Sequence, residues 1–481
     1  MPSANQTSSL VSSGSIVAEP GPETDFFPNS GNLYPKYADK FPRTAVEVWL
    51  FDALAPDGSD AFTVSFLRDS MAAPAGFRVI INASWEDGTN WSHDLILPMS
   101  TVTVEGSNPG QGRVTGVWRT ADDGEDGPSA SFEVNEDLSI SKVTFNVPGR
   151  IMGTLTHKSM GYPCLPKTED EAKVATEIFW MRPVAMASAN LDVAIVTDPS
   201  TEPKRMLISA DKGGYGGLER SWESIPWAKA VTDSLFVRAK VGPYVLQVMR
   251  LVGRPENNYE HTASARLYCD GKLVCSPQRV VDKPDGYTFG DSKAGHAVIV
   301  DKFFDGEGVP ATFRHKNVGY RIEFLSEAKW SFELRHDRVW WQMPTSKPGP
   351  NTTGSSAFVV SVKGGLVGSG DIFEGFGMAG QVEMPEDRFF TNTAALFLCV
   401  YRVVHNVFCL FPCFVCLDLL WRKPDRRGRR SWTLSGLEGD TASKRMLYLC
   451  FGVQHYCVNN VVVSLLMSSA PVVERFALRV G

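Results

Sequence analysis

"FRVIINASWEDGTNW", residues 77–91, reads as a β-strand running into a tight Asp-Gly turn at Asp87. At a period of two, Phe77, Val79, Ile81, Ala83 and Trp85 fall on one side, and Arg78, Ile80, Asn82 and Ser84 on the other. The first set is a core face. The second mixes an isoleucine and an amide with an arginine and a serine, so it looks either at bulk water or into an enclosed cavity.

Two neighbouring stretches bear on that choice. In "AVEVWLFDAL", 45–54, Val48 and Leu50 oppose Glu47, Trp49 and Phe51; in "AFTVSFLRDS", 61–70, Ser65 and Leu67 oppose Val64 and Phe66. A face made of Leu50, Ser65, Leu67, Ile80 and Asn82 is mostly apolar, with one hydroxyl and one amide. Solvent-facing strands carry more charge than that, and a greasy chamber with few polar groups is the usual lining of a small-molecule site. Arg78 and Ser84 on the same side keep the solvent reading open.

The same strand-and-turn grammar extends along the chain. Asp57, Asp87, Asp123, Asp126, Asp270, Asp285 and Asp305 each precede a glycine, the strongest short-range hairpin signal. "RLYCDGKLVC", 266–275, is strand, two-residue turn and strand; Cys269 then faces Lys272, which argues against a Cys269–Cys275 bridge. "YRIEFLSEAKWSFELRH", 320–336, is a half-buried hairpin with Tyr320, Ile322 and Phe324, then Trp330, Phe332 and Leu334, turned inward. Between residues 45 and 387 the only helical pattern is a weak one at 168–179. The expected fold is therefore all-β, built of sandwich or barrel domains.

At 481 residues the chain is too long for one ordinary core. The glycine-rich stretch "SADKGGYGGLERSWESIPW", 209–227, interrupts the strand pattern and suggests a divide there. The expected organisation is an N-terminal segment 1–30, β domains at 31–218 and 219–387, and an extension 388–481. Trp222, Trp227, Trp340 and Trp341 lie near predicted strand ends, where a cavity between two β domains would open; core packing is the plainer role for each. Within a strand, adjacent Trp340 and Trp341 should point opposite ways, one to core and one to cavity.

Composition narrows the function. With 48 basic and 54 acidic residues the net charge is −6, and no long basic stripe precedes residue 420, so a nucleic-acid partner is not expected. The first thirty residues lack a basic segment followed by a long apolar run, which points to a cytoplasmic protein. Six of nine cysteines (Cys399, Cys409, Cys413, Cys416, Cys450, Cys457) follow residue 390, leaving Cys164, Cys269 and Cys275 in the body, as reducing conditions permit. "ALFLCVYRVVHNVFCLFPCFVCLDLLW", 395–421, precedes the basic run "RKPDRRGRR" and raises membrane contact, but Arg402, His405, Asn406, Pro412 and Asp418 interrupt it. A poorly ordered appendage is the favoured reading.

No nucleophile elbow, phosphate loop or dinucleotide fingerprint appears in its proper context; "GGYGG" follows no strand-to-helix pattern. The eight histidines lack ligand spacing. His315 and His336 could approach on neighbouring strands, but surface or satisfied core positions are the commoner fate, so neither a metal site nor a cofactor is expected.

Several stretches together resemble one family: "NLYPKY", "VEVWLFD", "NASWEDGTNW", "TFNVPGRIMGT", "GGYGGLERSWESIPW", "VGPYVLQVMR", "RVWWQMPTSKPGP" and "FEGFGMAGQVEMP". In this order they are similar to the fungal decalin-forming Diels-Alderases of tetramic-acid polyketide clusters, equisetin and phomasetin among them, over about residues 20 to 387. The resemblance implies two lipocalin-like β domains of the hydroxyneurosporene synthase type with a substrate pocket at their junction. It also implies an intramolecular [4+2] cycloaddition of a linear polyenoyl tetramic acid, without cofactor, downstream of a polyketide synthase–peptide synthetase and a trans enoyl reductase. By the same resemblance Asn82 is the amide that hydrogen-bonds the tetramic acid region, and Trp222 and Trp341 are pocket aromatics. Three positions depart from the family pattern: Leu50 and Ile80 replace acidic residues, and Ser355 replaces a lysine. A non-catalytic polyketide or lipid carrier, or an alkene hydratase, are the alternatives; the hydratase needs a positioned general acid, which Leu50 and Ile80 cannot supply.

Overall fold

The structure is a computed structural model that describes residues 6–12, 16–18, 25–37, 44–69, 77–108, 111–120, 127–161, 165–277 and 296–385. All belong to one compact unit, Met1–Val400. The extension at 388–481, its apolar segment 395–421, Cys164 and the turns at Asp123, Asp126 and Asp285 lie outside the described residues.

The alternating sequence folds into two antiparallel sheets. The first has fifteen strands, up to and including Tyr215–Glu223; the second has nine, from Val231–Val241 to Phe373–Glu383. The chain crosses between them at 224–230, whereas the expected divide at 218/219 falls inside the strand Tyr215–Glu223. Each sheet curls until its inner face meets itself. In the first, Trp49 packs edge-on against Trp118 at 5.7 Å, and Phe66 lies 5.1 Å from Phe132. In the second, Tyr244 meets Phe332 at 5.6 Å. Two barrel-like halves with separate cores result, as period-two burial demands.

Local signals explain most of the elements. Asp270 and Gly271 adopt φ of 47° and 77°, the left-handed pair a two-residue hairpin needs. The register sets Cys269 opposite Lys272, and both Cys269 and Cys275 are free thiols. The later hairpin pairs Tyr320 with Leu334, Ile322 with Phe332 and Phe324 with Trp330, all inside the second core. The helical pattern at 168–179 shrinks to one turn, Glu169–Ala172, capped by Thr168. Beyond it Lys173–Ala175 and Ile178–Ile195 are strands, because Val174 and Ile178 bury between the two sheets with Trp180 and Leu251. Among the described residues no helix is long and apolar enough to cross a membrane.

Candidate functional site

Strand register brings Leu50, Ser65, Leu67, Ile80 and Asn82 together. Glu219, Leu50, Ser65, Ile80 and Asp94 form one row across five strands. Gly217, Asp52, Thr63, Asn82 and Ser92 form the next on one side; Ser221, Val48, Leu67, Arg78 and Ile96 form the next on the other. These rows share one face, while Trp49, Phe51, Phe66, Val79 and Ile81 fill the first core behind it. Leu50, Ser65 and Ile80 are half-buried, and Leu67 is buried.

That face looks at the second sheet. Ser84 Oγ donates to the Val339 carbonyl at 3.4 Å, and Arg338 Nε donates to Ser84 Oγ at 3.0 Å. Trp340 Nε1 donates to the Asn82 carbonyl at 3.3 Å. The long strand Lys329–Pro344 therefore packs against the strand that carries Asn82.

Trp340 and Trp341 do not point opposite ways. A register shift between Val339 and Trp341 adds one residue to the strand, so both tryptophans come to the same side. Trp340 is fully buried at the seam between the sheets, with Tyr215 from one and Val359 from the other. Trp341 stacks on Phe236 at 6.0 Å and 11°. Phe236 in turn lies over Gly380, where a Cβ would stand 2.1 Å from the ring. Ser355, 9% exposed, sits two residues along from Ala357, which pairs with Trp341, on the same face.

Trp222 stands apart from this group. It pairs with Glu47 and Phe179, three positions from Glu219, and so projects from the other face of its strand. There it stacks on Phe179 at 5.3 Å and 5° and is 1% exposed within the first core. The expectation of a pocket role for Trp222 gives way to core packing, because strand alternation separates it from Asn82.

Asn82 is held firmly and is 6% exposed. Its Oδ1 accepts from Ser92 Oγ at 2.7 Å, and its Nδ2 donates to Thr63 Oγ1 at 3.2 Å. With the acceptor and one hydrogen engaged, the second Nδ2 hydrogen is available for a ligand acceptor.

The face is more polar than the sequence pattern suggested. Asp52, 0% exposed, takes Arg182 Nη2 at 3.1 Å and Arg238 Nη2 at 2.6 Å, and Arg182 Nη1 reaches Glu219 Oε2 at 3.3 Å. Burial raises the Glu219 pKa, with Arg182 opposing, and lowers that of Arg238. "GGYGG" has its reason here: a Cβ on Gly217 would stand 2.6 Å from Arg182 Nη2, and one on Gly216 would stand 2.8 Å from His157 Nε2. The one sequence hint of this cluster is Asp52 itself, an acid in an otherwise apolar run; its partners lie more than a hundred residues away.

His315 and His336 do not form a pair. His336 is buried, stacks on Phe358 at 3.7 Å and bonds the Val309 carbonyl through Nδ1 at 3.1 Å. His315 instead joins Asp233 and Glu383, with ligand atoms within 4.8 Å of one another. Lys302 Nζ lies 3.0 Å from Asp233 and 2.9 Å from His315 Nδ1, and Arg250 Nη1 lies 2.9 Å from Asp233, so built-in cations already serve this cluster. A separate cavity of 380 Å³, lined by Asn29, Asn32, Gln111 and Glu136 among others, shares no residue with the Asn82 face.

Residues 2–385 match the family model described as Diels-Alderase-like. The chain belongs to that family. It is 50% identical over 393 residues to the Diels-Alderase cghA of Chaetomium globosum, covering 79% of this chain and 77% of that one. The Diels-Alderase fsa2 of Fusarium heterosporum is 32% identical over 381 residues, covering 77% and 96% respectively. The crystal structure of CghA with Sch210972 superposes with a TM-score of 0.72 at 49% identity, over 79% of this chain and all of that one.

The enzyme is thus a Diels-Alderase with an all-β fold. Its uncharged Leu50 and Ile80 each have a carboxylate directly across the strand, Glu219 and Asp94, the latter 3.7 Å from Arg78. Replacing Trp341 by alanine should cost about 2–3 kcal/mol of stability, because the half-buried ring loses apolar burial as well as its ring contacts. The same change should erode product stereoselectivity several-fold, read as the diastereomer ratio by chromatography. An unchanged ratio would remove Trp341 from the site.

Proposed function

We propose that the enzyme closes a decalin ring by intramolecular [4+2] cycloaddition of a linear polyenoyl tetramic acid. The observation that carries this reading is the Asn82 amide, anchored by Ser92 and Thr63 and set beside the half-buried Leu50, Ser65 and Ile80. A cycloaddition moves no proton and needs no nucleophile. Folding the polyene so that diene and dienophile meet can supply up to about 7–11 kcal/mol, the range of favourable intramolecular systems. A hydrogen bond from Asn82 Nδ2 to the carbonyl conjugated with the dienophile stabilises charge developing there. Leu50, Leu67, Ile80, Phe236 and Trp341 shape the chain, and Ser65 and Ser355 add hydroxyls at its edges.

Cytoplasmic action on the product of a polyketide synthase–peptide synthetase and its trans enoyl reductase completes the proposal. Purified enzyme should convert a linear polyenoyl tetramic acid to one diastereomer. Equal rates and product ratios with and without enzyme would end this reading.

A further inference from the structure

Glu219 stands at the end of the row that runs through Leu50, Ser65 and Ile80. Its side chain keeps 16% exposure, whereas Arg182, Asp52 and Arg238 behind it keep 2%, 0% and 1%. The Glu219 carboxyl is therefore where the buried ion cluster meets the face. Asp52 already takes one guanidinium on each oxygen, so Arg182 is served without Glu219. Arg182 and the Trp180 side chain both reach the Glu219 carboxyl and so hold it in place, but Arg182 does not need it for neutralisation.

Glu219 and Asn82 lie on strands three steps apart, about 14 Å at the usual strand spacing. Leu50, Ser65 and Ile80 lie on the three strands from Val46–Leu54 to Phe77–Ser84, so a mostly apolar surface with one hydroxyl separates the two polar groups. Resting on the reading above, we propose that Glu219 is a second substrate-anchoring residue, pairing with a hydroxyl or amide group of the substrate at the side of the chamber away from Asn82. Arg182 positions it. Fixing a flexible chain at two separated points limits the folds it can adopt, so this residue governs which face of the diene meets the dienophile.

Two substitutions in the full chain separate this role from charge balance. Glu219→Gln loses the charge and keeps the ability to hydrogen-bond, whereas Glu219→Leu loses both. The substrate is a linear polyenoyl tetramic acid, and the readouts are Kd from tryptophan fluorescence quenching, KM, kcat and diastereomer ratio. The expected result is a rise of about tenfold in Kd and KM for Glu219→Leu with a degraded ratio, and recovery to within about threefold of wild type in Glu219→Gln. Equal effects in the two variants would mean charge balance alone and overturn the proposal, as would an unchanged Kd and ratio in Glu219→Leu. Wild type that binds but does not turn over would count against the proposed reaction, while the Kd comparison would still decide Glu219. Wild type that does not bind would overturn both.

Discussion

Asn82→Leu is expected to lower kcat/KM for cyclisation by about 30- to 100-fold, with the fold intact. Removing one preorganised donor from a site of developing negative charge costs roughly 10²- to 10³-fold in the best-studied cases. The effect here belongs near or below the lower end, because a cycloaddition builds less charge on the carbonyl than acyl transfer does. Leucine matches the amide in size, so the wall beside Ile80 and Ser65 is preserved. Ser92 is exposed and can turn to water, which leaves Thr63 as the group that loses a buried partner, at a cost of about 1 kcal/mol. Single-turnover rates and a thermal midpoint, measured together, separate the two effects. A rate within twofold of wild type would show that the amide does not face the reacting carbonyl.

Acidification from pH 7 to pH 4 is expected to remove a large part of the stability. His157 and His336 are buried, and burial lowers both pKa values from 6.5 to about 4. A depressed folded-state pKa means that the unfolded chain takes up protons first. The stability these residues contribute is complete above pH 6.5 and is lost as pH falls towards 4. At 1.36 kcal/mol per pH unit, each accounts for about 3 kcal/mol at the acid end, against a typical domain stability of about 5–15 kcal/mol. His157 lies between the Asp52 carbonyl and Ser141, with the Asp52 carboxylate favouring its protonation and Arg182 and Arg238 opposing it. His336 has the Val309 carbonyl, the face of Phe358 and the Tyr320 ring at 5.0 Å, and no charged partner among these. Urea unfolding at pH 7, 5 and 4 should show the decline. His336→Phe, which keeps the stacked shape, should remove about half of it; a variant as acid-sensitive as wild type would place the effect elsewhere.

Much of the site could be read from period-two patterning. Leu50, Ser65, Leu67, Ile80 and Asn82 share a face because the backbone pleat fixes each side chain's direction relative to its neighbours, and a short stretch contains that information. The same rule, applied from Tyr215 through Glu223, would have set Trp222 apart from Glu219.

Trp340 and Trp341 show where alternation fails. One extra residue in the strand overrides the local rule, and the partner strand that reveals it is supplied by Gly354–Leu366. The residues themselves therefore determined the strands, the hairpin turns, the two all-β halves and the row that meets the second sheet. The tertiary structure alone decided that the second sheet covers that row, that both tryptophans sit at the seam, and that Asp52 joins Arg182, Arg238 and Glu219. Facing direction is a property of consecutive residues, whereas the meeting of distant charges depends on how each sheet curls and on the contact between the two.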